Sequence, residues 1–159
     1  MNHRKSNILD KIGSLIPGYN GYAARDELRN TDKKLRENLA RIIHEAESLI
    51  IIQQKKISTS EIQSCKEWEI SRKSLNTLFS KIKNTAYGES SFFSENQLKE
   101  EELEKIYSYD LEISERVCLI SKTVEENINE VLSPVLVIEQ IRAIEEVLIQ
   151  RLNFINQYK

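Results

Sequence analysis

A chain of 159 residues is long enough for one ordinary domain with a single core. With 40% apolar and 30% charged residues, four Gly and two Pro, it favours long amphipathic helices and leaves strands little to work with. The net charge of −2 argues against a general nucleic-acid binder, so no specific nucleic acid is expected as a partner, although residues 1 to 88 carry +6 and residues 89 to 159 carry −8. That asymmetry reads as two halves attracting each other across helix faces, with a basic surface for an anionic partner as the alternative.

The first element is the short amphipathic stretch SNILDKIGSLI, in which Ile8, Leu9, Ile12, Leu15 and Ile16 share one helix face. A helix this short that contains Gly13 is marginal alone, so its stripe must rest on the body of the protein, on a partner or on lipid. Lys11 and the His3, Arg4 and Lys5 cluster beside the stripe give the lipid option its motive, a helix lying in the membrane interface.

Residues 15 to 22, LIPGYNGY, concentrate one of the two prolines and two of the four glycines. Pro17 and Gly18 suit the central positions of a type II turn, and Asn20 and Gly21 readily take positive φ, so a stiff hook should present Tyr19 and Tyr22. Directly after it Arg29, Asp32 and Arg36 stand at i, i+3 and i+7, where the carboxylate can bridge both guanidinium groups. The tyrosines either fill a groove where the first helix folds onto the bundle, or point outward with the arginines as a binding hot spot.

The hook and the helix start after it resemble a group of small bacterial proteins that carry an IPGYxGY segment and then a charged Arg, Asp and Leu-Arg helix. Ile16, Pro17, Gly18, Tyr19, Gly21 and Tyr22 carry the first part, and Arg29, Asp32, Leu35 and Arg36 the second. The resemblance covers residues 15 to 36 and has Asn30 where the pattern has a second Arg. It implies no activity.

From about 23 to 54 the positions Leu28, Leu35, Leu39, Ile42, Ala46, Leu49 and Gln53 step by threes and fours as a coiled-coil-like seam, widened by Ile43, Ile50, Ile51 and Ile52. Ser58 and Glu61 have capping-box spacing and predict a helix whose seam is Ile62, Cys65, Trp68, Leu75, Phe79, Ile82 and Ala86, interrupted at Arg72 and ended near Gly88. Ser94 and Gln97 repeat the start signal, with Phe93 and Leu98 as a staple. The next seam runs Leu103, Ile106, Asp110, Ile113, Val117, Ile120, Val124, Ile128 and Val131. Pro134 then opens a last helix bearing Val137, Ile138, Ile141, Ile144, Leu148, Leu152 and Ile155, a kinked continuation being the alternative.

These spans predict an all-α fold, an up-and-down four-helix bundle of long antiparallel helices over 23–159, with residues 1–22 as a short amphipathic helix and hook, in a single domain. Cys65 and Cys118 would then lie at similar height as small buried hydrophobes, without metal-site spacing. No run approaches the roughly 18 apolar residues of a membrane-spanning helix, and no apolar segment of a secretory signal follows the basic amino terminus. A cytoplasmic protein is expected, with attachment to the membrane periphery as the alternative.

Catalytic patterns are absent from the sequence. Neither His3 nor His44 follows a Glu by three residues as a di-iron bundle requires, HEAE is not HExxH, and there is no phosphate loop, dinucleotide fingerprint or nucleophile elbow. The run KEEELEK at 99 to 105 reads as a solvated helix start complementing the dipole. Asp110 is the exception worth following, because a carboxylate on an apolar seam needs a cation, Arg72 being one candidate. The reading is therefore a non-enzymatic module without cofactor that recognises a protein partner through Tyr19, Tyr22, Arg29, Asp32 and Arg36. A membrane-associated protein using its first helix and a homo-oligomer formed around VLVI at 135 to 138 are the alternatives.

Overall fold

A computed structural model of the chain describes residues 3–56, 61–85, 91–94, 98–126 and 134–158, with side chains from residue 7. Helix α1 spans His3–Leu15, a 3-10 turn at Arg25–Glu27 leads into α2 at Leu28–Lys56, and α3 spans Ile62–Asn84, α4 Glu100–Glu126 and α5 Pro134–Asn156. Among the described residues there is no strand. The all-α bundle is as expected, and no described helix is long and apolar enough to cross a membrane.

The four long helices, α2 to α5, alternate in direction along the chain, but their neighbours differ from a sequential up-and-down arrangement. Helix α2 packs on α3 and α4, and α5 packs on the same two. Arg72 bonding Glu47, and Arg36 reaching the Lys83 carbonyl, make α2 and α3 antiparallel. Gln140 on Thr123 and Arg151 on Asp110 do the same for α4 and α5. Ser71 on the Pro134 carbonyl and Lys81 on Glu145 make α3 and α5 parallel. Among the described residues, α3 and α4 therefore stand diagonally, as do α2 and α5, which reach each other through long side chains. Cys65 and Cys118 sit on diagonal helices, so they are not the facing pair that a hairpin of α3 and α4 would give. Both thiols are free and half-buried, and burial raises that of Cys118.

The end of α4 nearest its start is closed by aromatic side chains. Phe92 and Phe93 are buried and meet Tyr22, Phe154 and Tyr158, with the Ser91 N–H donating to the Tyr158 carbonyl. Ser94 turns back on the Ser91 carbonyl instead of capping α4, which starts five residues later than the capping box implies. Its first turn is closed by Glu102, whose carboxylate accepts the Lys99 N–H at 2.7 Å, and Glu100 to Glu102 complement the dipole. Ser58, Gly88, Gln97, Ile128 and Val131 lie outside the described residues, and α3 begins at Ile62 and ends at Asn84.

Most seam positions are buried as the spacing predicts, and the departures are local. Ile51, Ile52 and Ile62 are exposed near the far ends of α2 and α3, whereas Leu78, Val147 and Arg151 are buried without having been marked by the pattern. Arg72 does bridge carboxylates, but they are Glu47 and Glu69, and its hydrogen bonds hold Glu69 down at about 2. The two charged halves meet where Lys81 pairs with Glu145 at 2.6 Å, while Arg41–Glu45 and Arg116–Glu112 run along single helices.

Candidate functional site

The hook forms the turn its sequence encodes. Ile16 follows directly on α1, the Tyr19 N–H donates to the Ile16 carbonyl across Pro17 and Gly18, and Gly18 has φ +81 as a type II turn requires. Gly21 supplies the second positive φ, +79, and among the described residues no non-glycine residue joins it, so Asn20 stays in an ordinary conformation. A Cβ on Gly21 would sit 2.7 Å from the Tyr107 hydroxyl and 3.0 Å from Leu9, so glycine is required for space as well as conformation. The returning arm of the hook is thereby laid directly on α4.

Once there, the tyrosines point inward. Tyr19 and Tyr22 are buried, and their hydroxyls donate to the same Asp110 oxygen, Oδ2, at 2.6 and 2.8 Å. Arg151 from α5 donates from Nε to Asp110 Oδ1 at 2.6 Å, and through one terminal nitrogen to the Tyr22 hydroxyl at 3.0 Å and Asp32 Oδ1 at 2.9 Å. Asp32 Oδ2 accepts Arg36 Nε at 2.8 Å, and Arg36 continues to the Lys83 carbonyl on α3. The backbone joins in: the Tyr22 N–H donates to the Tyr107 hydroxyl and Thr31 Oγ1 donates to the Gly21 carbonyl. One connected cluster thus ties the hook to all four long helices. Two carboxylates face two guanidinium groups, so the cluster has no net charge, which is what allows it to persist at this depth.

This geometry corrects the outward reading of the hook. Tyr19, Tyr22 and Asp32 are not presented to a partner in this conformation, because each is sealed in the core by its own hydrogen bonds. Arg36 is part of the cluster and only half-buried. Arg29 is exposed, and Asp32 bridges Arg36 and Arg151 in place of the expected Arg29 and Arg36. The stripe of α1 is also used internally: Ile12 and Ile16 are wholly buried, and Ile8, Leu9 and Leu15 pack against the core along α4. Insertion into a membrane would require α1 to leave α4.

Asp110 does have its cation, but from α5. Arg151 stands on the seam Ile144, Leu148, Arg151, Ile155, whose steps of four, three and four match those around Asp110, so a second charged residue at a core register was the signal that identifies the pair. Tyr107, stacked on Tyr22 with centroids 5.9 Å apart, carries no such signal, and neither do Phe92 and Phe93.

Burial, and then the adjacent Asp110 charge, push both hook tyrosines well above their usual 10. They are therefore poor acids, and among the described residues no group of three or more His, Cys, Asp or Glu is placed to bind a metal. Because the folded state keeps these phenol protons while the unfolded chain releases them near pH 10, the folded state binds more protons above that pH and stability must fall as pH rises through it. We expect denaturant titrations to show this alkaline loss in the native chain and a flatter profile in a Tyr19→Phe, Tyr22→Phe variant; equal slopes would show that the two hydroxyls do not govern it.

No family model, curated protein or solved structure matches this chain.

Proposed function

We propose that this chain is a non-enzymatic helical module of the cytoplasm that recognises a protein partner through the outer face of the hook and the start of α2. The observation that carries this reading is the pinning of an exposed turn from within. Pro17, Gly18, Asn20, Ala23, Ala24 and Arg29 are exposed, while Tyr19 and Tyr22 fasten the same short segment to Asp110. A surface loop held in one conformation before binding avoids the ordering cost that weakens flexible loops. Tyr19, Tyr22, Asp32 and Arg36 then act by fixing the surface, and Asn20 and Arg29 by touching the partner.

The test is a comparison of specific partners captured by the native chain and by an Asn20→Ala, Arg29→Glu variant, whose unfolding free energy should be unchanged because both side chains stand outside the cluster. Loss of a partner from a stably folded variant supports the reading; retention of every partner overturns it. Self-association is the second reading, motivated by Val135 and Leu136, exposed at the start of α5. A strictly monomeric mass across a dilution series removes it.

A further inference from the structure

We propose that the cleft between α2, α3 and α5 is a binding site for a neutral, largely apolar small molecule. The cleft lies where α2, α3 and α5 meet, beside the Arg151–Asp32 pair that joins the diagonal α2 and α5. It encloses about 370 Å³, walled by Leu35, Leu39, Ile82, Leu148 and Leu152, with Ile113 of α4 as its floor. That volume falls within the range of small-molecule sites, which are concave and mostly apolar with a few fixed polar groups.

The charge state of the walls selects the ligand. Three cations line the cleft, Arg36, Lys81 and Arg151, and each is engaged by a carboxylate. Arg36 bonds Asp32 at 2.8 Å, Arg151 bonds Asp110 at 2.6 Å and Asp32 at 2.9 Å, and Lys81 bonds Glu145 at 2.6 Å. An anionic ligand would have to displace carboxylates from these pairs, and a cationic one would meet carboxylates already neutralised. A neutral molecule disturbs none of them and gains the burial of its apolar surface against five aliphatic walls. This inference is independent of the partner surface proposed above, since Asn20 and Arg29 do not line the cleft.

Two fluorescent probes that share a ring system test the proposal on the full chain at neutral pH: uncharged N-phenyl-naphthylamine and its sulfonated analogue, anilinonaphthalene sulfonate. The neutral probe should saturate at one per chain and bind at least about tenfold more tightly than the sulfonate, a difference of roughly 1.4 kcal/mol. Leu152→Trp, which fills the cleft, and Ile149→Glu, which sets a charge on an exposed residue of its lining, should each weaken the neutral probe by about tenfold or more with unchanged far-ultraviolet circular dichroism. If Leu152→Trp does not fold, Ile149→Glu decides. Failure of the neutral probe to saturate, equal affinity for both probes, or folded variants that bind as the native chain does would overturn the proposal. Affinity that falls as protein concentration rises would assign the cleft to a second copy of the chain, which also overturns it.

Discussion

Replacing Arg151 by methionine is expected to destabilise the protein by about 3–5 kcal/mol, the range found when one partner of a buried ion pair is removed. Methionine retains much of the side-chain volume but none of the donors. Asp110, with no exposed surface, loses the 2.6 Å bond that balances its charge, and Asp32 loses the Arg151 side of its bridge. The Tyr22 hydroxyl loses a donor at the same time. A second signature separates this cause from lost packing. A buried carboxylate without its cation takes up a proton more readily in the folded state than in the unfolded one, so the deficit should shrink as pH is lowered. Denaturant titration of both chains at neutral and mildly acidic pH checks this; a deficit below about 1 kcal/mol, or one that grows in acid, would mean that Arg151 does not neutralise the cluster.

A chain that starts at residue 23 is expected to lose at least about 5 kcal/mol, enough to leave many domains of this size largely unfolded. Ile12, Ile16, Tyr19 and Tyr22 are buried large side chains, each stabilising by roughly 1.5–3 kcal/mol, partly offset by the entropy of ordering the segment. Their removal also bares the face of α4 around Tyr107 and Asp110, where the hydroxyls and the backbone amide of Tyr22 now satisfy buried groups. Far-ultraviolet circular dichroism and denaturant titration of the shortened chain give the answer directly. A cooperative transition at nearly the native midpoint would place α1 and the hook outside the folding unit.

These expectations show where sequence spacing is informative and where it stops. The helices, the Pro17–Gly18 turn, the helix start at Pro134 and the apolar stripe of α1, though not what covers it, follow from local rules of periodicity, capping and turn chemistry, which a single sequence displays. The anomaly of Asp110 was legible for the same reason, being a charge at a core register. Its partner was not assigned correctly, because partner choice depends on which helices adjoin. A sequential bundle sets α4 beside α3 and makes Arg72 a reasonable cation. With α3 and α4 diagonal, Arg72 turns to Glu47 and Glu69, and Arg151 on α5 takes Asp110. The inward direction of Tyr19 and Tyr22 depended on the same long-range fact, since the buried acceptor lies 91 and 88 residues away from them. Phe92 and Phe93 lie between helices, where periodicity has nothing to say. In this fold the IPGYNGY, Asp32 and Arg36 pattern is thus first a folding device, since Tyr19, Tyr22, Asp32 and Arg36 converge on one cluster.

The most direct test of that convergence is a double-mutant cycle between Tyr19→Phe and Asp110→Asn, read as unfolding free energies under identical conditions. Tyr19 loses only its hydroxyl, whose partner is Asp110 Oδ2 at 2.6 Å, so the cycle isolates the contact that fastens the hook to the bundle. A coupling energy of about 1.5–3 kcal/mol is predicted, as for hydrogen bonds to buried charged groups. Effects that add to within about 0.5 kcal/mol would show that the two residues act independently and would contradict the account.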